Sequence, residues 1–251
     1  RITCRDWFQL SLKEGLTVYR DQQFTSDMHN YENKRIDDVK FLRKYQFRED
    51  SGPTSHSVQP EKYLEIDNFY TTTIYEKGAE IIRMSNIILN EKKFKKGFKK
   101  FISDFDGKAA TIDNFIDSIF SEEKEINVDK FKLWYKQNGT PKVYIKRSWD
   151  EINKKLSLSF SQVDESGKTL IIPINIAVFT DSGEFKKYKF ILKEKNDILI
   201  IKDLNTKLDK PIVSYFREFS APVIWQTDTT YDEEIFIIEN EIDLFSVYDS
   251  I

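Results

Sequence analysis

The hydrophobic pattern changes its period once along the chain, at Pro141. Before this residue, apolar side chains recur at three- and four-residue steps, as in segments 11–27 and 33–46, which is the spacing of helices with one buried face. After it, apolar and polar residues alternate, most regularly from Leu156 to Ser161, which is the spacing of half-buried strands. We therefore predict a helical part followed by a small β-sandwich of six or seven short strands.

Local signals place the elements within both parts. Thr111 and Asn127 are good N-caps for short helices, and Gly139 with Pro141 should end the helical part. The strand candidates are 142–149, 156–161, 171–179, 188–192, 198–201 and 212–219. Segments 164–167 and 181–184 carry the Asp, Ser and Gly residues typical of hairpin turns.

A new apolar pattern begins at Tyr231 and stops at the last residue. The first residues also look like the middle of a longer sequence, since there is no initiator Met and no signal-like segment. We expect a piece of a longer protein with an α+β multidomain fold. Its parts would be residues 1–138, the helical portion of one domain; 139–226, the β-sandwich; and 227–251, the start of a truncated α-helical domain.

Composition narrows the possible partners and compartments. The formal charge of −3 is too close to balance to indicate a nucleic acid or an anionic membrane as partner. No run of about 18 apolar residues occurs, so no membrane-spanning segment is predicted. The single cysteine, Cys4, rules out a disulfide framework within the chain and fits a reducing compartment, which favours a cytoplasmic location.

One helix could suggest a different function. Between Glu91 and Phe105, six lysines alternate with four phenylalanines, so that the Phe side chains form one stripe and the Lys92–Lys100 face points to solvent. A non-enzymatic binding module that uses this face against an acidic partner is the alternative hypothesis. Acidic segments elsewhere offset the charge, which favours an ordinary solvated face.

Glu14 is the most informative single residue, because it lies among Leu10, Leu12 and Leu16. An ionised carboxylate in apolar surroundings must be paired or bound to a metal, and a salt bridge is the more common outcome. Gly15, which follows it, costs about 1 kcal/mol of helix propensity relative to Ala. It is either tolerated or required by another backbone that packs beside Glu14.

Two segments carry a family resemblance. Arg1 to Asp21, RITCRDWFQLSLKEGLTVYRD, and residues 71–84, TTTIYEKGAEIIRM, resemble the bacterial aminopeptidase N branch of the gluzincin zinc metallopeptidases. The resemblance extends over residues 1–141 and is weaker in the β region, where FSAPV (219–223) matches again. It implies the helical half of a thermolysin-like catalytic domain, then a β-sandwich and the start of a C-terminal helical domain.

The same resemblance implies a site that binds one zinc ion. Glu14 matches the third zinc ligand, and Tyr75 matches the tyrosine that stabilises the oxyanion. Lys13 and Glu76 match positions that line the same cavity. Zinc-activated water would then remove N-terminal residues from peptides with a free N-terminus, in cooperation with the remaining domains of the same parent chain.

Two parts of the family pattern are missing here. The His-Glu-x-x-His motif, which supplies two ligands and the general base, would fall just before Arg1, and the Gly-x-Met-Glu-Asn signature is also absent. The only histidines, His29 and His56, lie at a turn and in a polar loop, where surface positions are expected rather than ligands. We therefore expect the chain by itself to be inactive.

Overall fold

The computed structural model describes residues 1–62, 65–164 and 166–251. These residues form two compact units, one of residues 1–29 and 38–140 and the other of residues 30–37 and 141–251. The first unit is mostly helical, and the second contains most of the strands. The helices are α1 (Leu10–Met28), α2 (Tyr31–Phe41), α3 (Phe47–Asp50), α4 (Gly78–Phe105), α5 (Ile112–Ile119), α6 (Val128–Lys136), α7 (Tyr231–Asn240) and α8 (Leu244–Asp249).

Several short elements complete the helical unit. Two 3₁₀ turns cover Trp7–Gln9 and Ile66–Phe69, and two π-helical turns cover Leu42–Gln46 and Thr73–Lys77. Strands β1 (Thr3–Cys4) and β2 (Ala109–Ala110) form a short parallel pair. The predicted helix 33–46 is therefore α2 followed by a π-helical turn. No helix in the described ranges is both long and apolar enough to cross a membrane.

The predicted caps of the helical unit are confirmed. Thr111 accepts from the Asn114 amide in a capping box, and Asn127 accepts from the Lys130 amide. The predicted helix 91–105 is the second half of α4, because Asn90 adopts a φ of 66° and interrupts the helix. The Asn90 side chain accepts from the amides at 92 and 93, so this half begins with its own N-cap.

The core of the helical unit lies where α1, α4 and α5 pack together. Phe101 and Phe115 meet edge to face with centroids 5.1 Å apart, and Tyr19 meets Phe94 at 6.0 Å in the same manner. All four rings are buried. The predicted apolar stripe of the lysine-rich helix therefore does face the core.

The β region consists of two sheets, as predicted for a sandwich. Its strands are β3 (Lys142–Asp150), β4 (Lys155–Val163), β5 (Ile172–Asp181), β6 (Glu184–Leu192), β7 (Asn196–Ile201), β8 (Ile212–Ser214) and β9 (Ile224–Gln226). The order in one sheet is β7-β4-β3-β9 and in the other β6-β5-β8. The inward faces are mostly apolar, with Leu156, Leu158 and Phe160 buried on β4 alone.

Three details differ from the predicted strands. The turn 181–184 is a hairpin, but the segment 164–167 connects β4 to β5 in the other sheet, and Glu165 lies outside the described residues. The predicted strand 212–219 ends at Ser214, because three later residues, Phe216, Glu218 and Phe219, have φ between 50° and 58°. Strand β9 carries too short a pattern to be predicted.

Buried ion pairs hold the end of the second unit. Arg147 donates to Glu233 at 2.7 Å, and Arg217 donates to Glu241 through Nε at 3.0 Å and a terminal nitrogen at 2.8 Å. Arg35 donates to the carbonyl oxygens of residues 218 and 219, both at 3.0 Å. Residues 227–251 thus lie in the same compact unit as the sheets, and the division of the chain at residues 138 and 226 remains a prediction.

Candidate active site

Glu14 lies in the second turn of α1, the helix that begins at Leu10. Its neighbours Ser11, Leu12 and Gly15 are buried, whereas the Glu14 side chain is 14% exposed. Its Oε1 contacts the ammonium group of Lys13, which is largely exposed. The carboxylate is thus paired in this structure, as expected for a nearly buried charge.

Tyr75 lies at the centre of the π-helical turn Thr73–Lys77, directly before α4. Single π-helical turns are rare and occur often at functional sites, because they change the direction of one side chain. The Tyr75 ring is partly buried and packs against the buried cluster of Leu10, Phe69 and Ile74. Since Leu10 is the first residue of α1, the tyrosine lies beside the helix that carries Glu14.

A contact between two glycines brings the two elements together. A Cβ atom on Gly15 would lie 2.9 Å from the carbonyl carbon of Gly78, and one on Gly78 would lie 3.3 Å from the Cα of Gly15. Ser11 adds a buried hydrogen bond, donating from Oγ to the carbonyl oxygen of Ile74 at 2.8 Å. Gly15 is therefore required by close backbone packing, the second of the two interpretations of the sequence.

The Tyr75 hydroxyl remains protonated near neutral pH. Burial raises its pKa, and the nearby Glu14 carboxylate raises the pKa further, against a smaller lowering by Lys13. A protonated tyrosine hydroxyl can donate a hydrogen bond to a neighbouring oxygen. The same hydroxyl can donate to any other oxygen that becomes negative beside it.

Lys13 remains cationic in the same group of residues. Partial burial by itself would lower its pKa, but the hydrogen bond and the charge of Glu14 outweigh this, so the Lys13 pKa is raised. Tyr70, which the sequence reasoning did not single out, also influences the pKa of both Lys13 and Tyr75. No periodic pattern marks Tyr70, since it follows a short 3₁₀ turn.

The other predicted residues have different surroundings. Glu76 is partly buried on the same π-helical turn as Tyr75. His29 is exposed at the end of α1, as expected for a surface residue. His56 is partly buried: its Nδ1 donates to the carbonyl oxygen of Ser57 at 2.8 Å, and its Nε2 lies 3.8 Å from Glu49.

Glu14 is a candidate metal ligand without partners in the described ranges. Catalytic zinc usually takes three protein ligands. Within residues 1–62, 65–164 and 166–251, no group of three or more His, Cys, Asp or Glu side chains could hold a metal ion. This part of the chain can therefore supply one carboxylate donor and does not complete a zinc site.

The basic face of the second half of α4 is largely neutralised by ion pairs. Four of its lysines contact carboxylates, two on the same helix and two on the segment that follows α5. The pairs are Lys95–Glu91, Lys100–Asp104, Lys93–Glu123 and Lys96–Glu122. This pairing favours the solvated face over the alternative of a binding surface for an acidic partner.

These features define a class of protein. Residues 1–135 match the Peptidase family M1 domain, and residues 139–228 match a Domain of unknown function (DUF3458) with an Ig-like fold. The first match covers more than half of the chain, so the chain belongs to peptidase family M1. The predicted fold class is confirmed, with a helical peptidase part followed by an Ig-like β domain.

The most similar relatives include three bacterial proteins named Aminopeptidase N. Identity is 42% to the protein of Haemophilus influenzae over 89% of this chain, 40% to that of Caulobacter vibrioides and 36% to that of Escherichia coli, the latter two over the whole chain. The chain spans only 27–30% of the length of these relatives.

A solved structure is similar over the entire chain. The crystal structure of Legionella pneumophila aminopeptidase A in complex with aspartic acid superposes with a TM-score of 0.84 at 27% identity, and the match covers 28% of that protein. The predicted resemblance to bacterial aminopeptidase N is thus confirmed in sequence, and the similarity to a solved aminopeptidase A supports the predicted fold class.

Proposed function

We propose that this chain is part of a zinc-dependent aminopeptidase that removes N-terminal residues from peptides with a free N-terminus. The observation that carries the proposal is that Tyr75 packs against the first residue of α1, the helix that carries the nearly buried Glu14 carboxylate. Membership of peptidase family M1 and the names of the bacterial relatives support it.

Glu14 is proposed as one carboxylate ligand of the zinc ion, in agreement with the donor chemistry that zinc accepts. When bound, zinc would supply Lewis-acid polarisation of the scissile carbonyl and activation of the attacking water. The described residues offer no second and third ligand around Glu14, so the chain by itself is proposed to be inactive. The two histidines and the general base would come from a preceding His-Glu-x-x-His segment of the same protein.

Tyr75 is proposed to donate a hydrogen bond to the oxyanion that forms when water adds to the peptide carbonyl. The raised pKa of its hydroxyl keeps the proton that this role needs. Loss of one such donor costs about 2.7–4 kcal/mol of transition-state stabilisation, or roughly 10²–10³ in kcat.

Lys13 and Glu76 are proposed to contact the peptide substrate. Lys13 is exposed beside Glu14 and also lines a groove of about 730 Å³ with largely apolar walls that include Trp7 and Leu16. Glu76 follows Tyr75 on the same turn. The proposed location is the cytoplasm, which agrees with a single cysteine in the chain.

The test compares the 251-residue chain with the product of the complete coding sequence that contains it. Each is incubated with zinc and an aminoacyl chromogenic substrate. We expect hydrolysis only by the complete product, and turnover by the 251-residue chain would refute its proposed inactivity.

Two substitutions in the complete product then test the assigned roles. Tyr75→Phe should lower kcat by roughly 10²–10³ and change KM little, whereas Tyr231→Phe, at an exposed position on α7, is the control and should keep kcat. Glu14→Gln should lower the zinc content measured by metal analysis. A Tyr75→Phe variant with normal kcat would exclude the oxyanion role.

A further inference from the structure

Two neighbouring carboxylates hold the turn that carries Tyr75. Glu49, in α3, accepts from the backbone amide of Thr73 at 2.8 Å and from its hydroxyl at 2.5 Å. Asp50, the last residue of α3, accepts from the ammonium group of Lys77 at 2.8 Å. The two bonded residues, Thr73 and Lys77, are the first and last residues of the π-helical turn.

Three of the four residues of this arrangement lie inside the protein, and the Glu49 side chain is 20% exposed. Thr73, Lys77 and Asp50 are each at most 2% exposed, and the Lys77–Asp50 pair is among the most completely buried ion pairs in the described residues. Lys77 also donates to the carbonyl oxygen of Gly139 at 2.9 Å, and Asp50 accepts from the hydroxyl of Thr140 at 3.2 Å. A buried ion pair contributes little net stability compared with apolar side chains of the same size. Net stability therefore does not explain why the Lys77–Asp50 pair is present at this position.

The position of the turn supplies that reason. Tyr75 lies midway between the two held residues, and the intervening Ile74 carbonyl accepts the hydrogen bond from Ser11 on α1. A π-helical turn has fewer favourable backbone contacts than an α-helix, so side-chain anchors at both ends can decide its conformation. The anchors leave the Tyr75 side chain itself free to donate.

We propose that Glu49 and Asp50 are positioning residues that fix the π-helical turn and thereby the direction of the Tyr75 hydroxyl. Glu49, Asp50, Thr73 and Lys77 are together called the Tyr75 clamp. The clamp does not touch the substrate. Its catalytic significance rests on the oxyanion role proposed for Tyr75, whereas its structural effect can be measured without catalysis.

The first test is a mild change in the 251-residue chain. Thr73→Val removes the hydroxyl, which donates to Glu49 and accepts from Gln46 at 3.3 Å, and Thr73→Ser keeps it. We expect amide hydrogen exchange in residues 73–77 to become about tenfold faster in Thr73→Val, and the nuclear Overhauser contacts between the Tyr75 ring and the Leu10 methyl groups to weaken. Thr73→Ser should keep both the exchange rates and the Tyr75–Leu10 contacts of the unsubstituted chain. Unchanged exchange and unchanged contacts in Thr73→Val would overturn the proposal.

The second test removes the ion pair. Asp50→Leu with Lys77→Met replaces both charges by apolar groups of similar size, so that no unpaired charge is left in the core. We expect the same loss of Tyr75–Leu10 contacts while far-UV circular dichroism stays native. The matched control is Arg217→Met with Glu241→Leu, another buried pair, which should leave the Tyr75 contacts intact. Loss of the contacts in this control would overturn the assignment to the clamp.

These experiments distinguish failure of the clamp proposal from failure of the proposed oxyanion role of Tyr75. If the clamp variants disturb Tyr75 but Tyr75→Phe keeps full kcat in the complete product, the positioning role stands and the oxyanion role fails. If Tyr75→Phe loses kcat but the folded clamp variants leave the Tyr75 contacts unchanged, the oxyanion role stands and the clamp is refuted.

Discussion

Gly15→Ala tests the close approach of α1 to the start of α4. In an ordinary helix interior this change stabilises by about 1 kcal/mol, because alanine has the higher helix propensity. Here the new Cβ would lie 2.9 Å from the carbonyl carbon of Gly78 and 3.0 Å from Ser11 Oγ. Carbon atoms pack favourably at about 3.5–4.0 Å, so the two backbones must move apart by several tenths of an ångström.

The magnitude follows from two opposing terms. An extra methyl group in a well-packed contact costs about 1–3 kcal/mol, and a backbone carbon cannot rotate away as a side chain could. We therefore expect Gly15→Ala to lower the free energy of unfolding by about 1 kcal/mol, measured by urea titration with circular dichroism. Thr17→Ala, at an exposed position of the same helix, is the control and should be neutral or slightly stabilising. A Gly15→Ala chain as stable as this control would refute the reasoning.

A double-mutant cycle measures the coupling free energy between Ser11 and Gly78, which meet at the same helix contact. A Cβ on Gly78 would lie 2.2 Å from Ser11 Oγ, and Ser11→Ala removes that oxygen together with its hydrogen bond, a loss of about 1 kcal/mol. The double variant Ser11→Ala/Gly78→Ala should therefore be about 1 kcal/mol more stable than the sum of the single effects predicts. Gly15→Ala should couple less to Ser11→Ala, because its closest contact is backbone. Simple additivity in the first cycle would contradict the geometry.

Three further predictions use other parts of the chain. Gly97→Ala should destabilise by about 1–3 kcal/mol in urea titrations, because its Cβ would lie 2.4 Å from the carbonyl oxygen of Ile119. Burial by itself would raise the Glu233 pKa, but hydrogen bonds, first that from Arg147, outweigh burial and lower the pKa below its ordinary value. The stabilisation is therefore fully present above the ordinary Glu pKa of about 4.3 and is lost as the pH falls through the lower folded value. Glu233→Gln should therefore flatten the acid side of the stability–pH curve. Lys95→Gln, in an exposed pair, should change stability by less than about 0.5 kcal/mol.

Much of the fold could be predicted from local pattern. The change of period at Pro141 marks the passage from helices to strands, and the caps at Thr111 and Asn127 lie where the sequence places them. These features depend on a few adjacent residues, which is why they can be read without the fold. The prediction of a strand over the second half of 212–219 was wrong, because the conformation there depends on contacts with residues distant in sequence. Arg35, far away in the sequence, donates to the carbonyl groups of 218 and 219, which themselves have positive φ.

The candidate site likewise contains residues that the sequence could indicate and one that it could not. Glu14 could be singled out because a carboxylate among leucines is unusual, and Tyr75 through the family resemblance alone. Lys77 was not recognised as buried, although it lies three residues after Ile74 and four before Ile81, on the buried face of the pattern. Lysine is normally exposed, and only its partner Asp50, 27 residues away in sequence, makes this position possible.

The sequence by itself determined the order of the two parts, their element types and the family, because periodicity and caps act within a few residues. Only the tertiary structure decided that Gly15 meets Gly78, that Tyr75 packs against the start of the helix that carries Glu14, and that two carboxylates of α3 hold the turn between them. Each of these contacts joins residues distant in sequence. Its free energy depends on separations of a few ångströms that no local pattern records.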